Sequence, residues 1–193
     1  MPKNQVAAAN ANANADETPF LSDVTTLRAR ARTHIEAGAV TPNYAANAEQ
    51  VCKVLNAALA TEMVCVLRYK RHYFMAQGIA SESVKAEFLA HAGEEQAHAD
   101  EIAGRIVQLG GEPDLDPARF TSRAHSQYVE GKTLRDMIRE DLVAERVAIE
   151  SYREIIAWLE GRDSTTRKML EAILAVEEEH AEDMASLLAG LRE

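Results

Sequence analysis

Two short stretches, Glu95-Gln96-Ala97-His98 and Glu177-Glu178-Glu179-His180, decide the fold of this 193-residue chain. Residues three apart lie on one face of an α-helix, so each stretch can bring a carboxylate and an imidazole to one metal ion. A lone glutamate in an apolar setting precedes each stretch: Glu62 lies 33 residues before Glu95, and Glu145 lies 32 residues before Glu177. Two helices that each supply Glu and two that each supply Glu-x-x-His are typical of a two-metal site inside a four-helix bundle.

The distribution of prolines and glycines agrees with four long helices. The segments 43–112 and 118–193 contain no proline, and aromatic residues make up only 5% of the chain. Both properties favour helix over sheet. Glycines divide the chain into apolar-periodic segments of about 30 residues, each about 45 Å long as a helix. These segments are 44–77, 81–109, 132–160 and 163–191.

The connections between the segments predict the topology. Gly78 and Gly161 lie in short turns, which join antiparallel neighbours. The connection 110–132 contains Pro113 and Pro117 and is long enough to run the length of the bundle. We therefore predict an all-α four-helix bundle with a long crossover between its second and third helices.

The first 42 residues are expected to form a separate region, and residues 43–193 the bundle. Residues 1–20 are rich in Ala and Asn and are predicted to be disordered. A short N-terminal helix should follow over 21–38, capped by Ser22 or Asp23 and ended by Gly38. Three arginines of this helix should lie at a solvated surface or against an acidic neighbouring subunit; they are Arg28, Arg30 and Arg32.

The overall charge and the cysteines narrow the class of protein. With 21 basic and 31 acidic residues, the net charge of -10 disfavours DNA binding. No secretory signal is recognised, and no run reaches the roughly 20 apolar residues of a membrane helix. Cys52 and Cys65 would lie about 20 Å apart on one helix, too far for a disulfide. We expect a cytoplasmic protein with buried thiols, and Cys65, one turn from Glu62, near the reactive site.

The donor set indicates which metals it binds. Carboxylates and imidazoles suit iron and manganese, and less specifically zinc. Four carboxylates carry a charge of -4, which two divalent ions neutralise. The predicted ligands are Glu62, Glu95, His98, Glu145, Glu177 and His180.

Residues 44–190 resemble the bacterioferritin and Dps-like branch of the ferritin-like superfamily. The motifs that carry the resemblance are LNAALATEMVCVLRYKRHY (55–73), EEQAHADEIAGRIVQLGG (94–111), DLVAERVAIESYREII (141–156) and VEEEHAEDM (176–184). The resemblance implies that Glu62 and Glu145 are terminal ligands and that Glu95 and Glu177 bridge two irons. It also implies that His98 and His180 each bind one iron.

The resemblance also bears on three residues around the ligands. Tyr69, two turns after Glu62, matches a family tyrosine that supplies an electron. A core position is the alternative for this tyrosine. His91 and Glu94 are expected at the surface, with a role in iron access as the alternative.

Departures from the family pattern predict a distinct member. Bacterioferritins carry a haem-ligating methionine where this chain has Gln96, so we expect no haem. Only 13 residues follow His180, too few for the fifth helix of a 24-subunit cage, which favours a Dps-like dodecamer. Typical Dps proteins place their iron ligands between subunits, whereas this chain has a complete intra-subunit set. It also lacks the Cys-x-x-Cys pairs of a rubrerythrin.

The predicted function is a ferroxidase that oxidises Fe²⁺ with O₂ or H₂O₂ and stores or detoxifies Fe³⁺ as mineral in a hollow homo-oligomeric shell. Two alternatives stay open. One is a di-iron oxygenase or di-manganese catalase on the same bundle, and the other is a Dps-type DNA-protecting shell.

Overall fold

The computed structural model describes residues 22–78 and 81–191, and every regular element within these ranges is helical. The predicted disorder of residues 1–20 lies outside the described residues. Two short 3₁₀ turns, Ile35–Ala37 and Pro117–Arg119, accompany the α-helices. The α-helices are α1 (Val24–Ala31), α2 (Ala48–Met75), α3 (Ser81–Gln108), α4 (Phe120–Arg123), α5 (Leu134–Leu159) and α6 (Ser164–Gly190).

The four long helices α2, α3, α5 and α6 form the predicted bundle. α2 packs mainly against α3, and α5 packs mainly against α6. Side chains before the helices accept hydrogen bonds from otherwise free N–H groups of the first turn, as N-caps do. Asn47 caps α2, Thr133 forms a capping box with Asp136 of α5, and Asp163 caps α6. The all-α bundle predicted from the sequence is therefore confirmed.

The long crossover between α3 and α5 lies along α2. The Asn56 side chain contacts the backbone at Glu112 and Asp114, and Thr61 Oγ1 accepts a hydrogen bond from the His125 N–H at 2.9 Å. These hydrogen bonds satisfy loop backbone groups that would otherwise lack partners. The crossover also contains the short helix α4, which the sequence analysis did not predict.

A polar layer divides the core of the bundle into two apolar halves. One half contains Leu55, Leu59, Ile102, Ile106 and Ile173, among others. The other half contains Tyr69, Phe88, Ile138 and Met184, among others. Along each long helix, the predicted metal ligands lie between residues of these two halves. The bundle therefore places the six ligands at its centre and encloses them from both ends.

The N-terminal helix is shorter than predicted. α1 ends at Ala31 and not at Gly38, because His34 takes a left-handed backbone conformation (φ 52°) that interrupts the helix. A 3₁₀ turn follows and ends at Gly38. None of the α1 residues is buried, so packing does not extend the helix.

By length and composition one described helix, Ala48–Met75, could cross a membrane, with a mean hydropathy of 1.4 over its most apolar window. The expectation that no such segment exists was therefore wrong. Within the bundle, 61% of that window is buried. A largely buried apolar helix is typical of a protein core, and α2 also carries buried Glu62 and Arg68.

Two glycines offer a test of the packing. A Cβ at Gly104 would meet no described atom within 4 Å, whereas one at Gly111 would lie 2.6 Å from Cys52 Sγ. Since glycine in a helix interior costs about 1 kcal/mol relative to alanine, Gly104→Ala should raise the free energy of unfolding by up to that amount. Gly111→Ala, the matched control, should lower it. Thermal melts at equal protein concentration measure both; a lower melting temperature for Gly104→Ala would contradict the described environment of α3.

Candidate metal centre

All six predicted ligands lie together in the middle of the bundle. Each long helix contributes as the sequence predicted: α2 and α5 one glutamate each, α3 and α6 a Glu-x-x-His each. The side chains are nearly inaccessible to solvent, with exposed fractions between 0% and 7%. These residues are Glu62, Glu95, His98, Glu145, Glu177 and His180.

The ligand atoms form two overlapping groups. One contains Glu62, Glu95, His98 and Glu177, and the other contains Glu95, Glu145, Glu177 and His180; within each, the ligand atoms lie within 4.8 Å of one another. Glu95 and Glu177 belong to both groups. The geometry therefore offers two adjacent positions for metal ions, with two carboxylates lying between them.

Many of these buried atoms have no hydrogen-bond partner in the described part of the chain. They include both carboxylate oxygens of Glu95 and Glu177, one oxygen each of Glu62 and Glu145, and Nδ1 of both histidines. His98 Nδ1 lies 2.9 Å from Glu177 Oε1 without hydrogen-bond alignment. Buried polar atoms without partners are costly, and buried carboxylates are normally paired or coordinate a metal. The residues present therefore fit a pair of cations.

Mutual repulsion and burial perturb the protonation of the carboxylates. Burial, with the charge of nearby Glu95, raises the pKa of Glu62 to about 8. Burial and the charges of Glu95 and Glu177 raise the pKa of Glu145 well above its usual value. Both effects disfavour the ionised form. Glu62 and Glu145 therefore hold protons at neutral pH when no cation is bound.

The imidazoles are shifted in the sense that favours their charged form. Burial alone would lower the pKa of His98, but the carboxylates of Glu177 and Glu62 outweigh it and raise that pKa to about 12. The pKa of His180 rises to about 10, where Glu177 and Glu95 outweigh burial. Burial raises the pKa of Glu177, but the two histidines outweigh it and the pKa is lowered. The metal-free site thus holds four protons, on Glu62, Glu145 and both imidazoles, and two divalent ions carry the same charge.

Two buried tyrosines support the glutamates on the opposite helices. Tyr69 of α2 donates a hydrogen bond to Glu145 of α5, and Tyr152 of α5 donates one to Glu62 of α2. Tyr69 is therefore in direct contact with a predicted ligand. Tyr152 was missed from the sequence, although the signal was present: each tyrosine lies seven residues after the glutamate of its own helix.

His91 and Glu94 form an outer layer on one side of the centre. His91 is only 2% exposed, and its ring stacks on that of His180 with a centroid distance of 3.9 Å. The expectation of a surface position for His91 was therefore wrong. Glu94 is exposed, but its Oε2 lies 2.7 Å from His180 Nε2. A carboxylate on the outer nitrogen of a ligand histidine fixes its tautomer and directs the other nitrogen, here Nδ1, toward the metal.

Cys65 lies near the centre but is held as a thiol. Its Sγ is 3.4 Å from Arg68 Nη2, and burial raises the pKa of the thiol well above its usual value. Arg68 in turn pairs with Asp141 at 2.8 Å, and Asp141 also contacts His72 at 2.8 Å. This buried network joins α2 to α5 on the crossover side of the ligands.

Comparison with known proteins agrees with the fold and the ligand pattern. The family model for the ferritin-like domain matches residues 52–193. The chain belongs to the ferritin-like family. Among curated proteins, the ferritin-like chain is 33% identical over 143 residues to the nutrient stress-induced DNA-binding protein of a Synechococcus species, covering 72% of this chain and 81% of that protein. It is 30% identical over 139 residues to bacterioferritin BfrA of Mycobacterium tuberculosis, covering 72% and 83%.

Solved structures give the same assignment. A dodecameric thioferritin, the bacterioferritin-related protein of Bacteroides fragilis, matches with a TM-score of 0.72 and 33% identity over 75% of this chain and 88% of that chain. A Dps homologue from Halobacterium salinarum matches with a TM-score of 0.71 and 27% identity, covering 75% and 82%. The resemblance to the bacterioferritin and Dps-like branch is confirmed. The name of the Synechococcus relative gives no support to the prediction that this chain does not bind DNA.

The role of Glu94 leads to a testable prediction. Glu94→Ala removes the carboxylate that orients His180, so the affinity for a divalent ion at the position nearest His180 should fall about 10–100-fold. Anaerobic Co²⁺ titration, followed by visible absorption, measures that affinity. Glu101→Ala is the matched control, an exposed glutamate two turns further along α3. Equal Co²⁺ affinity in both variants would contradict this role for Glu94.

Proposed function

We propose that this protein is a ferroxidase that binds two Fe²⁺ at an intra-subunit centre and stores or detoxifies the Fe³⁺ product. The observation that carries this proposal is the set of six buried ligands whose inward atoms have no other partner among the described residues. In this proposal Glu62 and Glu145 are terminal ligands, Glu95 and Glu177 bridge, and His98 and His180 each bind one iron. Mn²⁺ and Zn²⁺ also suit these donors.

The residues around the centre have distinct tasks in this proposal. Two Fe²⁺ supply two electrons, which with two protons reduce O₂ to H₂O₂, or H₂O₂ to two waters. The apolar halves of the bundle exclude bulk water, so the carboxylates act at low dielectric. Tyr69 and Tyr152 hold Glu145 and Glu62 through hydroxyl hydrogen bonds. Tyr69, the closer counterpart of the family tyrosine, is also the proposed internal electron donor.

A groove elsewhere on the bundle bears on the oxygenase and catalase alternatives. A groove of about 1010 Å³ between α2 and α5 is lined by Val54, Val147, Ile155 and Trp158, among others. None of the six ligands lines it. An oxygenase needs its substrate beside the metals, so this groove supports the ferroxidase over that alternative.

The storage part of the proposal includes a shell and a location. The dodecameric relative from Bacteroides fragilis supports a shell of 12 subunits over one of 24. The free, buried thiols of Cys52 and Cys65 support a cytoplasmic location. Gln96 donates to Asp100 at 3.0 Å, so its side chain is engaged on its own helix, and we propose that no haem is bound beside it.

The ferroxidase is tested by removing the shared carboxylates. Glu95→Ala plus Glu177→Ala should reduce aerobic Fe²⁺ oxidation, followed by ferric absorption, to the rate in protein-free buffer. The shell, measured by light scattering, should remain, because the substitutions remove repelling buried charges. Glu101→Ala plus Glu179→Ala, two exposed glutamates of the same helices, is the control. Oxidation at the unaltered rate in the first variant would refute the site assignment. In the unaltered protein, oxidation that stops at two Fe per chain would refute storage.

DNA protection is a second candidate function, favoured by the names of the Synechococcus and Nostoc relatives. The exposed side chains of Arg28, Arg30 and Arg32 are the described cations suited to phosphate contacts. If the protein binds DNA, a gel shift at physiological salt should appear with the full chain and weaken when all three arginines are changed to Gln. Absence of a shift with the full chain removes this function, and an unchanged shift in the variant removes the role of α1.

A further inference from the structure

The hydrogen bonds around His91 determine which of its nitrogens carries the proton. Tyr69 donates its hydroxyl proton to Glu145, so the phenol oxygen can only accept a hydrogen bond from His91 Nδ1, which lies 3.2 Å away. Nδ1 of a neutral His91 therefore carries the proton, and Nε2 presents a lone pair. Burial and the neighbouring His180 both lower the pKa of His91, which agrees with a neutral ring.

The free lone pair of His91 faces two carboxylates. Nε2 lies 3.5 Å from Asp183 Oδ2 and 3.9 Å from Glu87 Oε2. Both distances are too long for a hydrogen bond, and a neutral Nε2 without a proton cannot donate one. Ligand atoms about 2.0–2.2 Å from one ion lie about 3–3.6 Å from each other. Three acceptors that converge at this spacing lack only a cation between them.

The surroundings of these atoms make a site that opens outward. The His91 side chain is 3% exposed, and its Nε2 has no hydrogen-bond partner in the described part of the chain. The carboxylate side chains of Glu87 and Asp183 are 46% and 55% exposed. Glu87 and His91 lie one turn apart on α3, and Asp183 lies on α6 one turn after His180. An ion can therefore arrive from solvent and be held on a rigid, buried imidazole.

We propose that Glu87, His91 and Asp183 form a third divalent-cation site, distinct from the two positions between the six ligands. One imidazole and two carboxylates select a divalent transition metal, such as Fe²⁺, Mn²⁺, Co²⁺ or Zn²⁺. The stacked rings of His91 and His180 place this site one side chain outside the inner pair. Cation binding here stands on its own geometry; only the further role, as the position from which Fe²⁺ moves inward, rests on the proposed ferroxidase function.

The number of ions bound per chain tests the site. The full-length protein is titrated anaerobically with Co²⁺ in equilibrium dialysis. Glu87→Gln plus Asp183→Asn should bind one ion fewer per chain than the unaltered protein. The control is Glu179→Gln plus Glu182→Gln, which removes the same charge from exposed positions of α6 and should bind the full number. An unchanged number and affinity in the first variant would overturn the proposal.

A second variant separates this site from the inner pair. Glu95→Ala plus Glu177→Ala should retain one ion, which is then lost when Glu87→Gln and Asp183→Asn are added. If Glu95→Ala plus Glu177→Ala alone removes every ion, the third site is refuted and the inner pair stands. If the unaltered protein binds a single ion that depends on Glu87 and Asp183, the third site stands and the di-iron centre is refuted.

Discussion

The repulsion among four carboxylates buried at the centre of an apolar bundle is the constraint on which the rest of the structure depends. Glu62, Glu95, Glu145 and Glu177 are each 1% exposed or less. Without compensation such a cluster is strongly destabilising, since burial and like charge both disfavour ionisation. The protein meets this cost in the metal-free state by holding protons on the site. Two divalent cations supply the same charge, so the architecture that makes the empty site costly is also what makes cation binding favourable.

The hydrogen bonds around the carboxylates fix the positions that such binding requires. Each lone glutamate is held by the tyrosine that lies seven residues beyond the equivalent glutamate of the other hairpin. Because Tyr69 reaches Glu145 and Tyr152 reaches Glu62, the two hairpins are joined across the centre as well as through their apolar halves. A rigid set of side chains loses little entropy when a ligand binds, which favours affinity.

The sequence predicted most of the fold and the whole inner set of ligands because both follow from periodicity and repetition. The Glu and Glu-x-x-His spacing recurs nearly unchanged in the two halves, so four helices and six converging residues could be expected together. What local pattern could not predict depended on tertiary contacts. His91 was expected at the surface because an isolated histidine in an acidic helix has no local signal for burial; its burial follows from the neighbouring α6. Likewise, α1 ends early because no partner covers it, and α4 forms within a connection whose conformation depends on α2.

The two halves of the repeat differ in the residues that surround them, and this difference gives the centre a direction. Four residues before Glu95 lies His91, whereas four residues before Glu177 lies Ile173, a member of the apolar core. One residue before Glu95 lies the exposed Glu94, whereas Val176 takes the equivalent position before Glu177. The polar residues are therefore gathered on the side of His180, which contacts both His91 and Glu94. Because a cation is stabilised by carboxylates and imidazole and not by an apolar wall, the His180 side is the favourable approach to the buried pair.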